Sequence, residues 1–483
     1  MSAPTTGETT ASVLTAAHAA ASPPAQRVPP PPAARLARRD AAVRVVAGSV
    51  LWLALLLVAS WWVGDGGVQD LAGWASGLTA VGRLTGLAAS VLLLAQVVAM
   101  VRLPVLEHAF GQDRLARLHR LLGLTSFDLM VGHVILVTWG YADGRLGVTP
   151  ATFWDLATHY PGMLLAVAGA TCLVMVVVTS VRAARRRLRY ESWHLLHLYA
   201  YLGVGLALPH QLWTGEDLAV STARTVFWWT LWGVAAAAVL VWRVGRPAVL
   251  NLRHRLTVVG VVDEAPDLWS VHLTGRHLDR LGATAGQFLT VRFLAGTGWT
   301  RGHPYSLSAP PDGQRLRLTV AGVGDGSRAA RSLVPGTRVL FEGPYGRLSA
   351  RARTVSKVAF LGAGVGVTPL RALAEELDYA SGEAVYLERF TDAPLFAREI
   401  DDLYARRGLQ VLRLPGRRRA AGSWLGDGVG AADDLTALVF WIPDIADRDV
   451  YLCGPPGWTA LVRATLLDAG LPAERLHLET FAW

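Results

Sequence analysis

Five histidines lie inside two long apolar segments, where ionisable side chains are costly and usually functional, and four of them form pairs. His119 and His133 are fourteen residues apart in one segment, and His197 and His210 are thirteen apart in the other. On an α-helix either separation corresponds to ~20 Å along the axis. Each segment therefore offers one imidazole at an inner depth and one at an outer depth.

Neutral imidazole is an axial ligand of haem iron, so the paired depths predict two bis-histidine haems stacked across the segments. Such haems carry electrons without binding a substrate, because two axial nitrogens leave no open iron position. Polar packing and a proton path are the alternative roles. His194 competes with His197 as the inner ligand. Thirteen residues also separate two side chains by ~140° around a straight helix, a mismatch that the nearby Pro209 could correct.

The C-terminal half contains segments suited to a flavin. A Tyr and a Ser in the strand-like segment His303–Ser306 would place a ring along a flavin and a hydroxyl near its N5 atom. Further on, Gly324, Gly326 and Ser327 lie at a possible helix start, whose free N–H groups favour a pyrophosphate. A plain turn explains this second segment equally well.

A glycine loop between a strand and a helix indicates a dinucleotide site. The apolar strand Val358–Leu361 runs into the loop, and a helix follows it. The residues of the loop and the helix start are Gly362, Gly364, Gly366, Thr368 and Pro369. Alternating glycines let the backbone approach a phosphate. A second strand, 449–453, ends at Cys453, which is otherwise a small buried packing residue.

The elements that position these residues follow from the composition. Hydrophobic residues make up 52% of the 483 residues and charged residues 17%, against roughly 25% charged in soluble domains. Two cysteines exclude a disulfide framework. Residues 1–42, rich in Ala and Pro, should form a disordered tail. Six apolar runs are each long enough to cross ~30 Å of hydrocarbon, namely 43–63, 84–101, 121–140, 161–181, 193–213 and 225–244.

The net charge of +9 is explained by membrane topology rather than by nucleic acid. Arginines cluster before the first run, after the second, between the fourth and fifth, and after the sixth, whereas the other loops hold few. The positive-inside rule then predicts a multi-pass protein of the cell membrane with both termini in the cytoplasm. We therefore expect a lipid bilayer as partner, and no nucleic acid.

After residue 250 the pattern changes to short strands separated by Gly and Pro turns. Residues 251–352 predict a small antiparallel β-barrel for FAD, and residues 355–483 predict a Rossmann-like α/β domain for a nicotinamide nucleotide. With residues 43–245, the predicted fold is an all-α six-helix transmembrane bundle followed by these two domains.

Four motifs follow the apolar runs in the order HPYS, GPYG, GAGVGVTP and LCGPPG. In this order they resemble the ferric reductase/NADPH oxidase superfamily, and the C-terminal half resembles ferredoxin–NADP reductase. The resemblance implies ligands to an inner haem from His119 and His197, and to an outer haem from His133 and His210. The residues that match the family's flavin strand are His303, Pro304, Tyr305 and Ser306, and those that match its nucleotide loops are Gly362, Gly364, Gly366, Thr368, Pro369, Cys453, Gly454 and Pro455.

Individual roles follow from the same resemblance. Ser306 and Cys453 are the expected catalytic residues, and Phe481, or else Trp483, would stack on the isoalloxazine ring. Soluble relatives have Arg at the position of His303, so that the charge on the pyrophosphate would come from Arg301 or Arg328.

The resemblance implies NAD(P)H-dependent electron transfer, through FAD and two b-type haems, to a small acceptor outside the membrane. The acceptor would be dioxygen, giving superoxide, or a ferric chelate, giving ferrous iron. No protein partner would be required; the alternative is an electron-donating module for a separate protein.

The nucleotide preference depends on the end of the second strand of the dinucleotide half. Arg389 favours the 2′-phosphate of NADPH, whereas Glu388 beside it would favour NADH. We predict NADPH, with Arg389 as its main contact. The basic run Arg417–Arg419 is either a second phosphate contact or a solvated loop.

Overall fold

The computed structural model describes residues 33–188, 190–215, 221–296, 299–430 and 432–480. Its first half consists of long helices, which are α1 (Ala33–Gly64), α2 (Trp74–Ala99), α3 (Gln112–Tyr141), α4 (Met163–Ser180), α5 (Tyr190–Trp213) and α6 (Thr222–Ala238). The last continues through a π-helical segment, Val239–Gly245, into α7 (Arg246–His254). The connections contain the short helices Gly67–Asp70, Pro104–Phe110, Thr149–His159 and Arg182–Arg185.

The helices lie at the positions of the predicted spans, but several of them begin or end at different residues. Five helical stretches among the described residues are long and apolar enough to cross a membrane, namely Arg38–Gly64, Trp74–Ala99, Gln112–Tyr141, Met163–Ser180 and Thr222–His254. Helix α5 is not among them, and it carries three histidines and Gln211, which reduce its hydropathy. The count of six spans therefore stays a prediction. The predicted end of the tail at residue 42 is wrong, because α1 is already helical from Ala33.

Small residues bring the helices together in pairs. A Cβ atom added at Gly82 of α2 would lie 2.7 Å from the side chain of Val137 in α3. In the same way, a Cβ atom at Gly169 of α4 would lie 2.7 Å from the carbonyl oxygen of Gly203 in α5. Glycine permits such close approach of helix backbones in membranes. The pairs α2–α3 and α4–α5 thus hold the two histidine-bearing helices, α3 and α5.

The segment predicted as a barrel forms two three-stranded antiparallel sheets, with strand orders β1-β2-β5 and β4-β3-β6. The strands are β1 (Thr257–Ala265), β2 (Leu268–Thr274), β3 (Phe288–Phe293), β4 (His303–Ser306), β5 (Arg315–Ala321) and β6 (Val339–Tyr345). Isolated bridges, Thr257 to Arg338 and Leu307 to Leu318, connect the sheets. A short helix, α8 (Asp325–Ala329), follows β5. We refer to residues 257–345 as the flavin barrel, after the sequence prediction; closure into a barrel and flavin binding stay predictions.

The remaining strands form a five-stranded parallel sheet in the order β11-β10-β7-β8-β9. Its strands are β7 (Val358–Ala363), β8 (Ala384–Arg389), β9 (Gln410–Leu414), β10 (Asp449–Gly454) and β11 (Leu476–Thr480), and its helices are α9 (Val367–Glu376), α10 (Ala397–Arg407), α11 (Asp434–Trp441) and α12 (Pro456–Asp468). Successive residues of β7 enter two separate hydrophobic clusters. Both faces of the sheet are therefore buried, as parallel sheets require.

The C-terminal half packs on one end of the helical bundle. The guanidinium of Arg102, just after α2, lies 4.4 Å from the ring centre of Tyr345 in β6. Asp40 of α1 forms an ion pair with Arg351, at 3.5 Å. The start of α1 and the α2–α3 connection thus face the C-terminal half, whereas the side of the membrane that this end occupies stays a prediction.

Candidate functional site

The two histidines of α3 are both held by backbone carbonyls of α2. The Nδ1 atom of His119 lies 3.3 Å from the carbonyl oxygen of Gln96, and that of His133 lies 2.8 Å from the carbonyl oxygen of Gly82. The fourteen-residue separation of the histidines is thus repeated in their carbonyl partners on the antiparallel helix.

These contacts determine which ring nitrogen is available. A carbonyl only accepts, so Nδ1 must carry the proton and Nε2 keeps its lone pair in each neutral ring. A metal-ligating histidine commonly donates its other ring N–H in this way, which fixes its tautomer and orientation. His119 and His133 are therefore arranged as ligands through Nε2.

Helix α5 places its histidines opposite those of α3. The rings of His119 and His197 are 6.0 Å apart between centres. The Nδ1 atom of His197 lies 3.4 Å from the hydroxyl of Ser180, which also accepts a hydrogen bond from the indole of Trp193. At the outer level, His210 has a buried Nδ1 atom for which the described residues provide no hydrogen-bond partner.

His194 lies three residues before His197 on α5, close to the same face of the helix. The charges that act on it are those of Arg243, Arg292 and Glu342, at the cytoplasmic end of the bundle by the predicted topology. His197, whose ring faces His119, is the better placed of the two candidates for an inner pair.

All four histidines line one cavity of about 2020 Å³. Its volume is about twice the upper end of the ~300–1,000 Å³ typical of small-molecule sites. Its walls between α2, α3, α4 and α5 are mostly apolar, and the described residues contain no cluster of three or more His, Cys, Asp or Glu side chains suited to a bare metal ion. Paired imidazoles in a large apolar cavity fit two planar iron porphyrins.

The same cavity continues to the flavin barrel. Thr290 of β3, His303 and Pro304 of β4, and Glu342 of β6 line its far end. The start of the segment predicted to contact a flavin therefore lines the same cavity as the inner histidine pair.

Strand β4 has the burial expected of a flavin strand. Ser306 is buried, and burial raises the pKa of the Tyr305 phenol above its usual range. A Cβ atom added at Gly326 would lie 2.8 Å from Nε2 of His303, so that the glycine segment after β5 contacts β4. The Ser327 hydroxyl accepts from the N–H of Gly324 and donates to its carbonyl, at 2.9 and 2.8 Å. Helix α8 has only five residues. This length favours the interpretation of the segment as a plain turn over that of a helix start suited to a pyrophosphate.

The glycine loop after β7 contacts the loop after β10. A Cβ atom added at Gly366 would lie 2.4 Å from the carbonyl oxygen of Cys453, and Gly364 has a φ of +53°. Thr368 donates from its hydroxyl to the carbonyl of Val365, and Pro369 is buried in the first turn of α9. Both loops lie at the carboxyl edge of the parallel sheet, where such folds bind nucleotides.

Cys453 is fully buried in the hydrophobic cluster on one face of the sheet. Burial, and secondarily the charge of Glu479, raises the pKa of its thiol well above the usual range. It pairs with Gly362 on one side and with Glu479 on the other, and Gly454 and Pro455 continue the loop. A buried neutral thiol agrees with the packing role as well as with a place below a nicotinamide.

The two candidate nucleotide-reading residues point in opposite directions. Glu388 is buried, its Oε1 accepts from the N–H of Leu395 at 2.7 Å, and burial raises its pKa to about 7. Arg389 donates to the carbonyl of Gly416 at 3.2 Å; burial, and then the charge of Arg418, lowers its pKa.

The basic run contributes one arginine to this edge. The Nη1 atom of Arg418 would lie 3.9 Å from a Cβ atom added at Gly457, in the first turn of α12, which follows the loop after β10. Arg419, in contrast, donates to the carbonyl of Gly430 and pairs with Asp434. Arg389 and Arg418 thus converge beside the two nucleotide loops.

Sequence reasoning missed Glu479, which lines the cavity. Its carboxylate would lie 3.1 Å from a Cβ atom added at Gly346 of the GPYG segment. Burial and the charge of Asp113 raise its pKa to about 8. The sequence signal that could have indicated Glu479 is its position two residues before Phe481, a predicted flavin-stacking residue. Phe481 and Trp483 themselves lie outside the described part of the chain.

Comparisons with known proteins agree with this division. Residues 85–208 match the family described as "Ferric reductase like transmembrane component". The flavohemoprotein of Chromobacterium violaceum is 29% identical over 210 residues, which cover 41% of this chain and 52% of that protein. The ferredoxin reductase component of 3-ketosteroid-9-alpha-monooxygenase from Mycolicibacterium smegmatis is 29% identical over 240 residues, which cover 47% of this chain and 65% of that protein.

Among solved structures, the flavohem-like FAD/NAD binding domain of nitric oxide dioxygenase from Vibrio cholerae matches with 25% identity and a TM-score of 0.36, covering 47% of this chain and 99% of that one. The chain spans between about half and two thirds of the length of the curated relatives it matches.

These matches show a chain that is similar over residues 85–208 to a ferric reductase-like transmembrane component, and in its second half to reductase flavoproteins. More particularly, the order of a ferric reductase-like transmembrane component and a ferredoxin reductase-like half matches the fusion that the four sequence motifs resemble, that of the ferric reductase/NADPH oxidase superfamily.

Proposed function

We propose that this protein transfers electrons from NAD(P)H, through FAD and two b-type haems, to a small acceptor on the outer side of the membrane. The observation that carries the proposal is the single cavity that runs from the four histidines to the flavin strand. Dioxygen and a ferric chelate are the two acceptor classes, since haems held by two histidines each would supply single electrons, which either acceptor takes.

The histidines would hold the haems in two levels, His119 with His197 and His133 with His210. Haem supplies a carrier of single electrons, with a potential set by its axial ligands and their hydrogen bonds. The carbonyls of Gln96 and Gly82 keep the Nε2 atoms of α3 unprotonated and aimed into the cavity. Helix packing thereby prepares the ligands before any cofactor is bound.

The flavin barrel and the parallel sheet would bring FAD and the nucleotide together. FAD supplies the conversion of a hydride into single electrons, which haem cannot perform. His303 and Pro304 of β4 line the cavity, and Tyr305 and Ser306 follow them on the same strand as the proposed flavin contacts. Gly364 and Gly366 let the backbone approach a pyrophosphate, and Arg389 with Arg418 supplies positive charge at the same edge.

The predicted orientation suits outward transfer. With the arginine-rich ends and the C-terminal half in the cytoplasm, an inside-negative potential favours outward electron flow by ~2.3 kcal/mol per 100 mV. No protein partner is required in this scheme. A second candidate is electron donation to a separate protein, because the Mycolicibacterium smegmatis relative is described as one component of a monooxygenase.

A spectroscopic experiment tests the proposal. The full chain is expressed with haem supplementation, purified in detergent with FAD and mixed anaerobically with NADPH. We expect two b-type haems per chain, both reduced by NADPH. His133→Leu should leave one haem, whereas the control His159→Leu, an exposed histidine of a short connecting helix, should keep two. A chain without bound haem, or with haem that NADPH does not reduce, would refute the proposal.

A further inference from the structure

A single side chain of α7 connects the last membrane helix to the flavin barrel. The Asn251 side chain donates from Nδ2 to the carbonyl of Phe341 at 2.8 Å and accepts at Oδ1 from the N–H of Phe341 at 2.9 Å. Nδ2 also donates to the carbonyl of Pro247, one turn earlier in the same helix, at 2.7 Å. The amide group therefore bonds strand β6 as one residue of a neighbouring strand would.

The position of Phe341 makes this contact an edge-strand contact. Strand β6 is the last strand of the sheet β4-β3-β6, so that one of its sides has no strand partner within that sheet. A backbone N–H or C=O group at such an edge costs free energy when protein covers it without providing a hydrogen-bond partner. Asn251 satisfies both backbone groups of Phe341, whose side chain is fully buried in the barrel.

An ion pair reinforces the same junction one residue further along β6. Glu342 lies 3.4 Å from a guanidinium nitrogen of Arg243, in the π-helical segment after α6, and 2.9 Å from one of Arg292 in β3. Each of these side chains is at most 30% exposed. The membrane helix is thus bound to the barrel by an amide and by an ion pair, on adjacent residues of one strand.

The strand register links this junction to the flavin strand. In β3, Val291 pairs with Phe341 on one side and with His303 on the other. Thr290 pairs with Glu342 and with Pro304 in the same way. Two strand spacings, ~10 Å, therefore separate the residue that Asn251 holds from the first residue of β4. The position of β4 against the inner histidine pair depends on the junction through a hydrogen-bonded sheet.

We propose that Asn251 is a positioning residue, which fixes the flavin strand at the distance from the inner haem that electron transfer requires. The inference rests on the proposed function. Asn251 does not line the cavity and touches neither cofactor site, so its effect would be confined to the step between the two halves. Hydride transfer within the C-terminal half does not cross the junction.

The test is Asn251→Leu in the full chain, with Leu252→Ala as the matched control, because Leu252 is the exposed neighbour on the same helix. Anaerobic stopped-flow mixing with NADPH follows flavin bleaching and haem reduction separately. We expect unchanged flavin bleaching and haem reduction slower by about tenfold, since small misplacements cost rates of this order. The rate of haem reduction in Asn251→Asp, which keeps only the hydrogen-bond acceptor, should fall between the rates of the wild type and of Asn251→Leu. Wild-type rates of haem reduction in Asn251→Leu would overturn the proposal.

Hydrogen exchange provides a readout that does not involve the cofactors. The amide of Phe341 should exchange faster in Asn251→Leu than in the wild type or in Leu252→Ala. If the wild-type chain shows no haem reduction, the proposed function fails, and exchange at β6 alone then decides whether the junction exists. Unchanged exchange in Asn251→Leu would reject the junction independently of electron transfer.

Discussion

Gly86 of α2 lies directly against the imidazole of His133 in α3, such that a Cβ atom at Gly86 would be 2.5 Å from Nδ1. The carbonyl that His133 contacts belongs to Gly82, one turn earlier in the same helix. The absence of a side chain at Gly86 is therefore what allows the ring to lie against α2 with its Nδ1–H bonded and its Nε2 directed away.

The first prediction follows from that contact. Gly86→Val should displace the His133 ring and lower the haem content towards one per chain, because Nε2 would lose its orientation. Gly132→Ala is the control, since a Cβ atom there meets nothing within 4 Å. Pyridine haemochrome assay of the purified chains measures the content. Two haems in Gly86→Val would contradict the ligand assignment at the outer level.

The membrane half illustrates what the sequence could predict. His119 and His133 are placed by a helix period that the sequence displays directly, and both histidines line the cavity. Their partners, the carbonyls of Gln96 and Gly82, are backbone atoms and leave no mark on residue type. These carbonyl partners could therefore not be predicted from residue types, whereas the positions of the two histidines along the helix could.

In the C-terminal half, the local sequence pattern left two residues open as nucleotide contacts, and tertiary packing distinguishes them. Glu388 and Arg389 alternate across a strand, and only the structure shows that Glu388 is buried while Arg389 approaches Gly416. Asn251 was not noticed at all, because an asparagine in a juxtamembrane helix has no periodic or compositional signal. Its role depends on the edge of a strand that lies 90 residues later in the chain.

The second prediction concerns the buried thiol. Cys453→Ala removes a side chain from a packed cluster and should lower the free energy of unfolding by about 1 kcal/mol. If the thiol also lies beside the nicotinamide, flavin bleaching by NADPH should slow with little change in FAD content. Thermal melts and stopped-flow bleaching separate the two effects. A lower melting temperature with an unchanged bleaching rate would assign Cys453 to packing alone.

The third prediction is a pH dependence from Glu479, whose pKa in the folded chain is raised from 4.5 to about 8. The folded state holds this proton where the unfolded state has released it, so stability falls as pH rises through that window. Glu479→Gln should flatten the fall in melting temperature between about pH 5 and pH 8. Glu474→Gln, an exposed neighbour, is the control and should keep the wild-type slope. An unaltered slope in Glu479→Gln would show that other groups cause the dependence.

The fourth prediction concerns the choice between NADPH and NADH. Glu388 accepts from the N–H of Leu395 with one carboxylate oxygen and its side chain is buried, so it is not placed to bind a ribose hydroxyl. Arg389 and Arg418 lie close together beside the loops after β7 and β10. Burial, and then the charge of Arg418, lowers the pKa of Arg389. Two guanidinium groups this close together favour an anionic phosphate, although the carboxylate of Asp427 offsets part of their charge at Arg389.

Arg389→Ala should therefore raise the KM for NADPH by about tenfold, the loss expected for one hydrogen bond to a charged group, and leave the KM for NADH nearly unchanged. Arg418→Ala should act in the same direction. Arg419→Ala is the matched control, because its guanidinium is engaged with Gly430 and Asp434 in the neighbouring loop. Steady-state kinetics with both nucleotides measures the effect. Equal losses with NADPH and NADH would make Arg389 a structural residue, since a contact specific to the 2′-phosphate cannot alter the binding of a nucleotide that lacks it.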